Sequence, residues 1–397
     1  MKNKNNLPTI IPFKHLASLS LPFHLPVILS YFIFFVCGIT VGVILSFNFK
    51  NVSLSLNMTH LSHSSVSAAD AGDRTPQPPL SITTSRVGLS EFLKPPDMMH
   101  DMEDEELMWR ASMMAPRIRE YPFQRVPKVA FMFLTKGPVL LAPLWELFFK
   151  GHEGLYSIYV HSSPSWNGSD PEGSVFSGRR ISSQDVEWGK VSMLEAERRL
   201  LANALLDVSN ERFVLLSESC IPLFNFSTVY SYLTNSSTSF VEVYDLPGPV
   251  GQGRYNHHMY PSISLRDWRK GAQWFEMDRA LAIEVVSDTT YFPIFQRLCK
   301  HSCYADEHYL PTFVSMRFPG ATSNRTLTWV DWSRGGPHPN HFTRTDVHPG
   351  FLESLRSGSH CGFNGNTTGV CFLFARKFTP NALNRLLRFA PKVMHFN

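Results

Sequence analysis

The sequence Val129-Ala130-Phe131-Met132-Phe133-Leu134 is a short run without a single polar side chain. Continuous apolar runs of this length are typical of strands in parallel sheets, because both faces of such a sheet are covered. An apolar segment at 140–149 has the composition of a helix, and 155–161 that of a second strand. Strand, helix and strand at this spacing predict a βαβ unit and therefore an α/β domain.

Helical and strand patterns continue on the C-terminal side of this unit. Further strands are predicted at 213–216 and 240–243, and further helices near 278–286 and close to the C-terminus. The segment 193–208 predicts an amphipathic helix. Its apolar residues gather on one side, and we expect its charged residues to be largely solvated, namely Glu195, Glu197, Arg198 and Arg199.

The N-terminal end of the chain predicts a membrane anchor. Residues 25–47 carry no charge, and at about 1.5 Å per residue such a helix crosses the roughly 30 Å of a hydrocarbon core. A cleaved signal peptide is the alternative, but its apolar region is only about 7–15 residues long. Lys2, Lys4 and Lys14 precede the segment, so we expect residues 1–24 in the cytoplasm and the remainder in a lumen.

Residues 48–127 are rich in Ser, Thr and Pro. Such a composition buries too little apolar surface to offset the entropy of ordering, and it predicts a lumenal stem. One short helix is expected within it at 102–113, where the acidic start suits a helix N-terminus. Residues 128–397 are then expected to form a single catalytic domain.

Sequons and cysteines both agree with an oxidising, secretory-pathway lumen. Cys37 lies in the predicted anchor, and the other cysteines lie beyond it, where disulfides form. Cys299 with Cys303, and Cys361 with Cys371, could each be a local pair; zinc binding is less favoured because neither pair has CxxC spacing. The Asn-x-Ser/Thr sequons all lie on the lumenal side, at Asn51, Asn57, Asn167, Asn225, Asn235, Asn324 and Asn366.

Charge and motifs exclude several classes of function. The net charge is only +4 and the basic residues are scattered, which argues against a nucleic-acid partner. The chain contains no GxSxG, GxGxxG or P-loop motif, so hydrolase triads and dinucleotide or ATP binding have no support. His338, His341 and His348 stand near prolines, where surface or packing roles are favoured over a metal site.

The stretch Tyr304-Ala305-Asp306-Glu307-His308-Tyr309-Leu310-Pro311 places two acids and a histidine between aromatic residues. One carboxylate can act as a general base, and Glu307 is the candidate. The alternative is that Asp306 and Glu307 only open a helix and complement its dipole. Since ligands of open α/β sheets bind at the carboxyl ends of strands, His161 and 217–219 are candidate pocket residues.

Seven short segments, taken in order, resemble the core-2/I-branching β-1,6-N-acetylglucosaminyltransferase family, glycosyltransferase family 14, and in particular its plant branch with proteins of the brittle-culm type. The resemblance covers about 128–397 and leaves out the predicted anchor and stem. The segments are Val160-His161, Trp188-Gly189-Lys190, 213–223, 271–275, Asp306-Glu307-His308, Gly335-Gly336-Pro337-His338-Pro339 and Phe374-Ala375-Arg376-Lys377-Phe378.

This resemblance implies a GT-A-type (Rossmann-like) α/β fold and a metal-independent, inverting transfer of a sugar from a nucleotide sugar. In such enzymes a carboxylate takes the acceptor proton and cations neutralise the leaving diphosphate. The family pattern places the base on Glu307, the diphosphate lysine on Lys377 and the diphosphate arginine on Arg344. For that arginine, Arg356 is the alternative.

Other binding residues follow from the same resemblance. Trp332 matches an aromatic residue that stacks on the acceptor sugar, although a core tryptophan is the alternative. Arg254 and Trp274 are further candidates on the acceptor side. His161 takes the place of an aspartate that lies near the uridine in animal relatives, a departure that leaves uridine recognition open.

The sequence thus predicts a single-pass type II Golgi membrane glycosyltransferase that uses a UDP-sugar and requires neither a cofactor nor a metal. N-acetylglucosamine is the expected donor sugar, and a glycan or glycoprotein, of the cell wall or of the secretory pathway, the expected acceptor. A related glucuronosyl- or xylosyltransferase is one alternative. The other is a non-catalytic lumenal scaffold that binds glycans with the same fold.

Overall fold

The structure is a computed structural model that describes residues 88–116, 118 and 120–396. The expected cytoplasmic tail, the membrane anchor at 25–47 and most of the stem lie outside these residues. Within the described part of the chain, no helix has both the length and the apolar character needed to cross a bilayer.

The central sheet has four strands in the order β2-β1-β3-β5. Strands β1 (Lys128–Leu134), β2 (Tyr156–His161) and β3 (Asn210–Ser217) run parallel, which confirms the predicted βαβ unit. Strand β5 (Glu276–Asp278) pairs antiparallel with β3. In the register of this sheet, Leu134 lies opposite both His161 and Ser217, so the carboxyl ends of the three parallel strands meet at one edge.

A smaller sheet and a hairpin come from the C-terminal half. Strand β9 (Phe374–Arg376) lies between β4 (Ile221–Pro222) and β6 (Thr328–Val330). Because β4 follows β3 closely, this pairing brings β9 to the edge where β3 ends. Strands β7 (Cys361–Phe363) and β8 (Asn366–Thr368) form a two-stranded hairpin.

Helices cover both faces of the central sheet. In chain order they are α1 (Leu89–Phe92), α2 (Asp104–Ser112), α3 (Ala142–Phe149), α4 (Val191–Leu205), α5 (Phe226–Thr234), α6 (Arg279–Val286), α7 (Phe292–Leu298), α8 (Ala305–Arg317), α9 (Pro349–Ser357) and α10 (Leu383–Phe389). Short 3₁₀ turns stand at Gln252–Arg254, His257–Met259, His301–Cys303 and Pro380–Ala382, and a π-helical turn follows at Ala390–Met394.

Strand β1 separates two hydrophobic cores. Ala130, Met132 and Leu134 point into one core, while Val129 and the two phenylalanines of the strand point into the other. Successive side chains of a strand point to opposite faces, so a strand covered on both sides must be apolar throughout. This burial explains the continuous run at 129–134.

The charged residues of α4 correct one prediction. Glu197, Arg198 and Arg199 are buried rather than solvated, because α2, α6 and α8 pack on the side of α4 that we assigned to solvent. Both arginines have partners there. Arg199 pairs with Asp104 through two hydrogen bonds of 2.6 Å, and Arg198 donates to the carbonyl of Val286.

The prediction of a strand at 240–243 is also wrong. Phe240 forms only an isolated bridge, to Glu276 of β5. The backbone amides of Val241 and Val243 donate to side-chain oxygens of Thr322 and Asn324 instead of to a neighbouring strand. Phe240 and Val241 are buried, as apolar residues in a strand would be. Here their burial does not depend on pairing with a neighbouring strand.

The short helix predicted at 102–113 is confirmed as α2, and it packs against α4 and α6. Its Leu107 and Ala111 are buried in the core of the domain. Ordered packing therefore starts before residue 128, while the predicted domain boundary there stays a prediction.

Both local cysteine pairs are disulfides. One bond joins Cys299 to Cys303 and the other joins Cys361 to Cys371. Cys220 is a buried free thiol. The first pair closes a short loop directly before the segment that carries Glu307, and the second pair encloses the sequon at Asn366.

Candidate active site

Glu307 lies in the first turn of α8. The residue before the helix, Tyr304, takes a left-handed conformation with φ of 55° and turns the chain sharply out of the Cys299–Cys303 loop. The backbone N–H of Gly271 donates to the carbonyl of Glu307 (3.0 Å), which ties this turn to the neighbouring segment. Glu307 therefore stands at a fixed position at the start of the helix.

Only one of the three residues Asp306, Glu307 and His308 reaches solvent. Asp306 is 5 % exposed and His308 is fully buried, whereas the Glu307 side chain is 22 % exposed. The His308 ring stacks on Trp268 with 4.5 Å between centroids, and its Nδ1 donates to the Arg269 carbonyl. Burial lowers the pKa of His308 to about 4, so this ring is neutral.

Two cations contact the same oxygen of Glu307. Arg254 Nη1 donates to Glu307 Oε2 over 2.7 Å, and Lys270 Nζ forms a second, short contact with that oxygen. Burial alone raises the pKa of this carboxyl, but the charges of Lys270 and Arg254 outweigh burial and hold the pKa below its ordinary value. The carboxylate is therefore ionised near neutral pH.

Backbone hydrogen bonds hold Lys270 in place, and an aromatic ring packs against Arg254. Lys270 pairs with Tyr244 through two backbone hydrogen bonds of 2.8 and 2.9 Å. Arg254 ends a 3₁₀ turn, and its guanidinium lies 4.0 Å from the centroid of the Tyr304 ring. Burial, together with the charges of Glu242 and Glu307, raises the pKa of Tyr244 to about 12. This phenol is therefore expected to be neutral near pH 7.

Lys377 directly follows β9, at the edge where the parallel strands end. Burial and the charges of Arg376 and Lys136 lower the pKa of its ammonium group, and the charge of Glu218 offsets part of this effect. Lys136 itself follows β1, so three cations and one carboxylate from two sheets act on one another here. An excess of positive charge of this kind is one that a diphosphate would neutralise.

Arg344 and Arg356 have different surroundings. The guanidinium of Arg356 donates to the Val393 carbonyl and lies 4.5 Å from the Phe224 ring, so it connects α9 to the C-terminal turn. Arg344 is exposed on the loop before α9. Two residues earlier, the backbone of Phe342 pairs with the Lys377 carbonyl (2.8 Å), which brings this loop to the cluster around Lys377. The surroundings favour Arg344 as the available cation, and its role stays a prediction.

The predicted sugar- and uridine-binding residues differ in accessibility. Trp332 is 49 % exposed in the loop after β6, which excludes the alternative of a core tryptophan. Trp274 is buried beneath the Arg376 guanidinium, 4.0 Å from its ring centroid. His161 is also buried, and its Nε2 accepts from Arg199 and from the Gln184 amide, both over 3.4 Å. Burial lowers the pKa of His161 to about 4. Direct contact of Trp274 or His161 with a substrate stays untested.

A line of aromatic rings joins the Glu307 side of the site to the Gly-Gly-Pro loop. The Trp188 ring, half exposed, lies 5.1 Å from Tyr304 and 4.9 Å from His338. Gly189, at φ of 73°, lets the backbone after Trp188 lie close to Tyr304, because a Cβ at this position would stand 2.9 Å from the Tyr304 ring. Burial, with the charges of Lys377 and His338, lowers the pKa of His341, so the far end of this line and Lys377 both act on the same imidazole.

Sequence reasoning missed Lys270, Trp188 and Lys136 as site residues. Lys270 directly precedes the Gly271–Phe275 segment that carries the family resemblance. Trp188 stands inside another such segment, and Lys136 follows the first strand. The sequence could have indicated these residues because each lies in or next to a segment that carries the family resemblance, or just after a predicted strand.

The position after β3, where a metal-binding acid pair would stand, holds Ser217, Glu218 and Ser219, and the two serine hydroxyls lie 3.1 Å apart. Over the described residues, no group of three or more His, Cys, Asp or Glu side chains is arranged to hold a metal ion. Independence of a metal stays a prediction.

Sequons in the described region lie at the surface. Asn167, Asn235, Asn324 and Asn366 are exposed, whereas Asn225 is half-buried and caps α5 by accepting from the Thr228 amide (3.0 Å). Asn51 and Asn57 lie outside the described residues. Glycan occupancy at each site stays a prediction.

A parallel sheet with cations at its carboxyl edge, together with an accessible carboxylate at the start of a helix, has the groups that transfer of a sugar from a nucleotide sugar requires. Comparison with known proteins gives the family. The model of the Core-2/I-Branching enzyme family matches residues 129–356. Over 306 residues the chain is 35 % identical to Glycosyltransferase BC10 of Oryza sativa subsp. japonica, covering 66 % of this chain and 76 % of that protein.

The chain therefore belongs to the core-2/I-branching enzyme family, and it is a glycosyltransferase. The predicted family and the predicted enzyme class are both confirmed. The family implies a nucleotide sugar as donor and a glycan as acceptor.

Proposed function

We propose that this protein transfers a sugar from a UDP-sugar to a glycan hydroxyl, with inversion and without a metal, in a GT-A-type domain with Glu307 as general base. The observation that carries this proposal is the surroundings of Glu307. It is the accessible acid of the Asp306-Glu307-His308 segment, and its carboxylate is held ionised by two positioned cations.

In the proposed reaction, the acceptor hydroxyl oxygen attacks the anomeric carbon on the face opposite the leaving group. The new glycosidic bond forms as the bond between that carbon and the phosphate oxygen breaks, and the bonding electrons leave with UDP. Glu307 accepts the hydroxyl proton. Lys377 and Arg344 neutralise the charge that develops on the diphosphate.

Lys270 and Arg254 have a role in this reaction that follows from their contacts. Both donate to Glu307 Oε2, so the carboxylate is ionised but weakly basic. The other oxygen, Oε1, takes part in neither contact, so an acceptor hydroxyl that donates to Oε1 leaves both cations in place. An acceptor that donates to Oε2 competes with the two cations, and the loss of one of them raises the pKa of Glu307 and makes it a stronger base.

Exposed aromatic residues support a sugar-binding surface on the acceptor side. The Trp332 and Trp188 rings are both about half exposed, and an indole presents a flat apolar face to the apolar face of a sugar ring. Trp188 belongs to the line of rings that ends at Tyr304, beneath Arg254. We propose that the acceptor glycan lies along these rings.

We also propose a type II orientation in the Golgi membrane, with N-acetylglucosamine as donor sugar and an acceptor of the wall or the secretory pathway. The exposed sequons and the two disulfides support an oxidising lumen. Transfer of glucuronic acid or xylose is the alternative within the same chemistry.

The experiment is a UDP-release assay with a panel of UDP-sugars and candidate glycan acceptors. Glu307→Gln is expected to lower kcat by about 10²–10⁴-fold, the usual contribution of a general base. Glu106→Gln, which removes an exposed carboxylate paired with Arg110 on α2, is the control and should keep wild-type activity.

A folded Glu307→Gln variant that turns over at the wild-type rate would refute the assignment of the base. A wild-type protein that releases no UDP with any donor and acceptor of the panel would favour the non-catalytic scaffold. Activity that EDTA abolishes and manganese restores would contradict metal independence.

A further inference from the structure

Two buried carboxyl groups lie behind Glu307. Glu197 of α4 is 1 % exposed and Asp306 of α8 is 5 % exposed. Glu197 Oε1 accepts from Gln273 Nε2 over 2.9 Å. Within the described region, Glu197 Oε2 and Asp306 Oδ1 have no hydrogen-bond partner. A buried polar atom without a partner is costly, and two such atoms on two acids require an explanation.

The two acids lie on helices that pack against each other, and the segment around Gln273, which donates to Glu197, also bonds to the first turn of α8, because the Gly271 N–H donates to the Glu307 carbonyl. The charge of Asp306 adds to burial in raising the pKa of Glu197 well above its ordinary value. Burial, with the charge of Glu307, raises the pKa of Asp306 to about 7. Two carboxylates enclosed together cannot both stay ionised, because their repulsion is not screened by water.

Other charged groups nearby have partners of their own. Lys270 and Arg254, which lower the pKa of Asp306, are held by Glu307. On α4, Arg198 donates to the carbonyls of Val285 and Val286, and Arg199 pairs with Asp104. His308, beside Asp306, is stacked on Trp268 and neutral. Neither acid thus has a cation of its own.

We propose that Glu197 and Asp306 share one proton, that the resulting carboxyl–carboxylate hydrogen bond joins the two oxygens that lack partners, and that this bond positions the first turn of α8 and with it Glu307. Both acids are positioning residues, since neither reaches the substrate side of the site. The importance of the pair for catalysis rests on the proposed role of Glu307 as base.

Removing the shared proton has a predictable consequence. Two like charges would then lie between α4 and α8, next to the ionised Glu307. Because the folded-state pKa values of these acids are raised, the pair stabilises the fold fully below the ordinary carboxyl pKa of about 4. That contribution is lost as the pH rises through the raised values, near 7 for Asp306.

The first test measures thermal stability and needs no activity. The melting temperature of the full-length chain is followed from pH 5 to pH 9 for the wild type, Glu197→Gln, Asp306→Asn and Glu195→Gln. Glu195 lies two residues from Glu197 on the same helix, where it accepts only an exposed contact from Gln296, so it controls for the charge change.

We expect the wild type and Glu195→Gln to lose at least about 4 °C between pH 5 and pH 9, by the usual relation between free energy and melting temperature. Each amide variant should show a flatter profile, because an amide can donate to the remaining carboxylate and cannot ionise. The same pH dependence in all four proteins would overturn the shared proton. Should one amide variant fail to fold, the other one decides.

The second test separates positioning from plain structural support. Wild-type kcat/KM in the UDP-release assay is expected to fall about tenfold per pH unit above the apparent pKa of the pair, as for the loss of one essential proton. The amide variants should be less active at pH 6, by up to about tenfold, yet lack this alkaline limb. An unchanged alkaline limb in both variants would refute positioning through the pair.

Failure of the proposed function gives a different result. If Glu307 is not the base, Glu307→Gln keeps its activity, while the stability profiles still report on the pair.

Discussion

Replacing Lys270 with methionine removes one of the two cations that contact Glu307 and keeps the length of the side chain. The variant leaves Arg254 as the remaining partner of the carboxylate, at 2.7 Å. Since the charge of Lys270 is the larger of the two effects that lower the pKa of Glu307, this pKa should rise. The base would then need a higher pH to be ionised.

The size of the shift follows from the contact. A hydrogen bond between charged groups contributes about 1.5–3 kcal/mol, and about 1.4 kcal/mol corresponds to one pKa unit. The Lys270 and Glu307 side chains are 13 % and 22 % exposed, so water screens part of the interaction. We therefore expect the lower end of the range, a rise of about one pKa unit.

The assay is the pH dependence of kcat/KM for UDP release, whose acid limb reports the pKa of the base in the free enzyme. The acid limb of Lys270→Met should move to higher pH by about one unit. Lys300→Met is the control, because Lys300 is exposed and donates to the Gln296 carbonyl. An acid limb that does not move in a folded Lys270→Met variant would refute the view that Lys270 sets the pKa of the base.

Three further predictions concern binding and stability. Arg344→Ala should raise the KM for the nucleotide sugar and leave the melting temperature unchanged. Arg356→Ala should instead lower the melting temperature, because Arg356 connects α9 to the C-terminal turn. The reverse pattern would exchange the roles of the two arginines. Trp332→Ala should raise the acceptor KM about tenfold, as for the loss of an aromatic contact of about 1.5 kcal/mol, with the donor KM unchanged. Glu276→Gln should cost about 3–5 kcal/mol of unfolding free energy in a denaturant titration, because it leaves Arg212 buried without its partner; a loss below about 1 kcal/mol would contradict this.

The sequence predicts those parts of the fold that depend on residues close to one another in the chain. The apolar run at 129–134 and the segments after it yield the βαβ unit, because a strand between two cores has no polar position. The helix start predicted as an alternative role for Asp306 and Glu307 is also present, since α8 begins at Ala305. These features depend on periodicity and composition within a few residues, which a single sequence contains.

The buried charges of α4 could not be predicted in this way. Arg199 is neutralised by Asp104, 95 residues earlier in the chain, and Arg198 by carbonyls almost as far downstream. A helical wheel that shows charged residues on one side predicts solvent there, unless partners from distant segments are known. Lys270 was missed as a partner of Glu307 for the same reason, since the two are 37 residues apart.

The Cys299–Cys303 bond closes a loop that ends one residue before Tyr304, the left-handed residue from which the helix that carries Glu307 starts. An enzyme preparation made in a reducing bacterial cytosol would lack this link next to the first turn of that helix. Production in yeast, insect or plant secretory systems is therefore the sound choice for functional work, and thiol reductants should be left out of storage buffers.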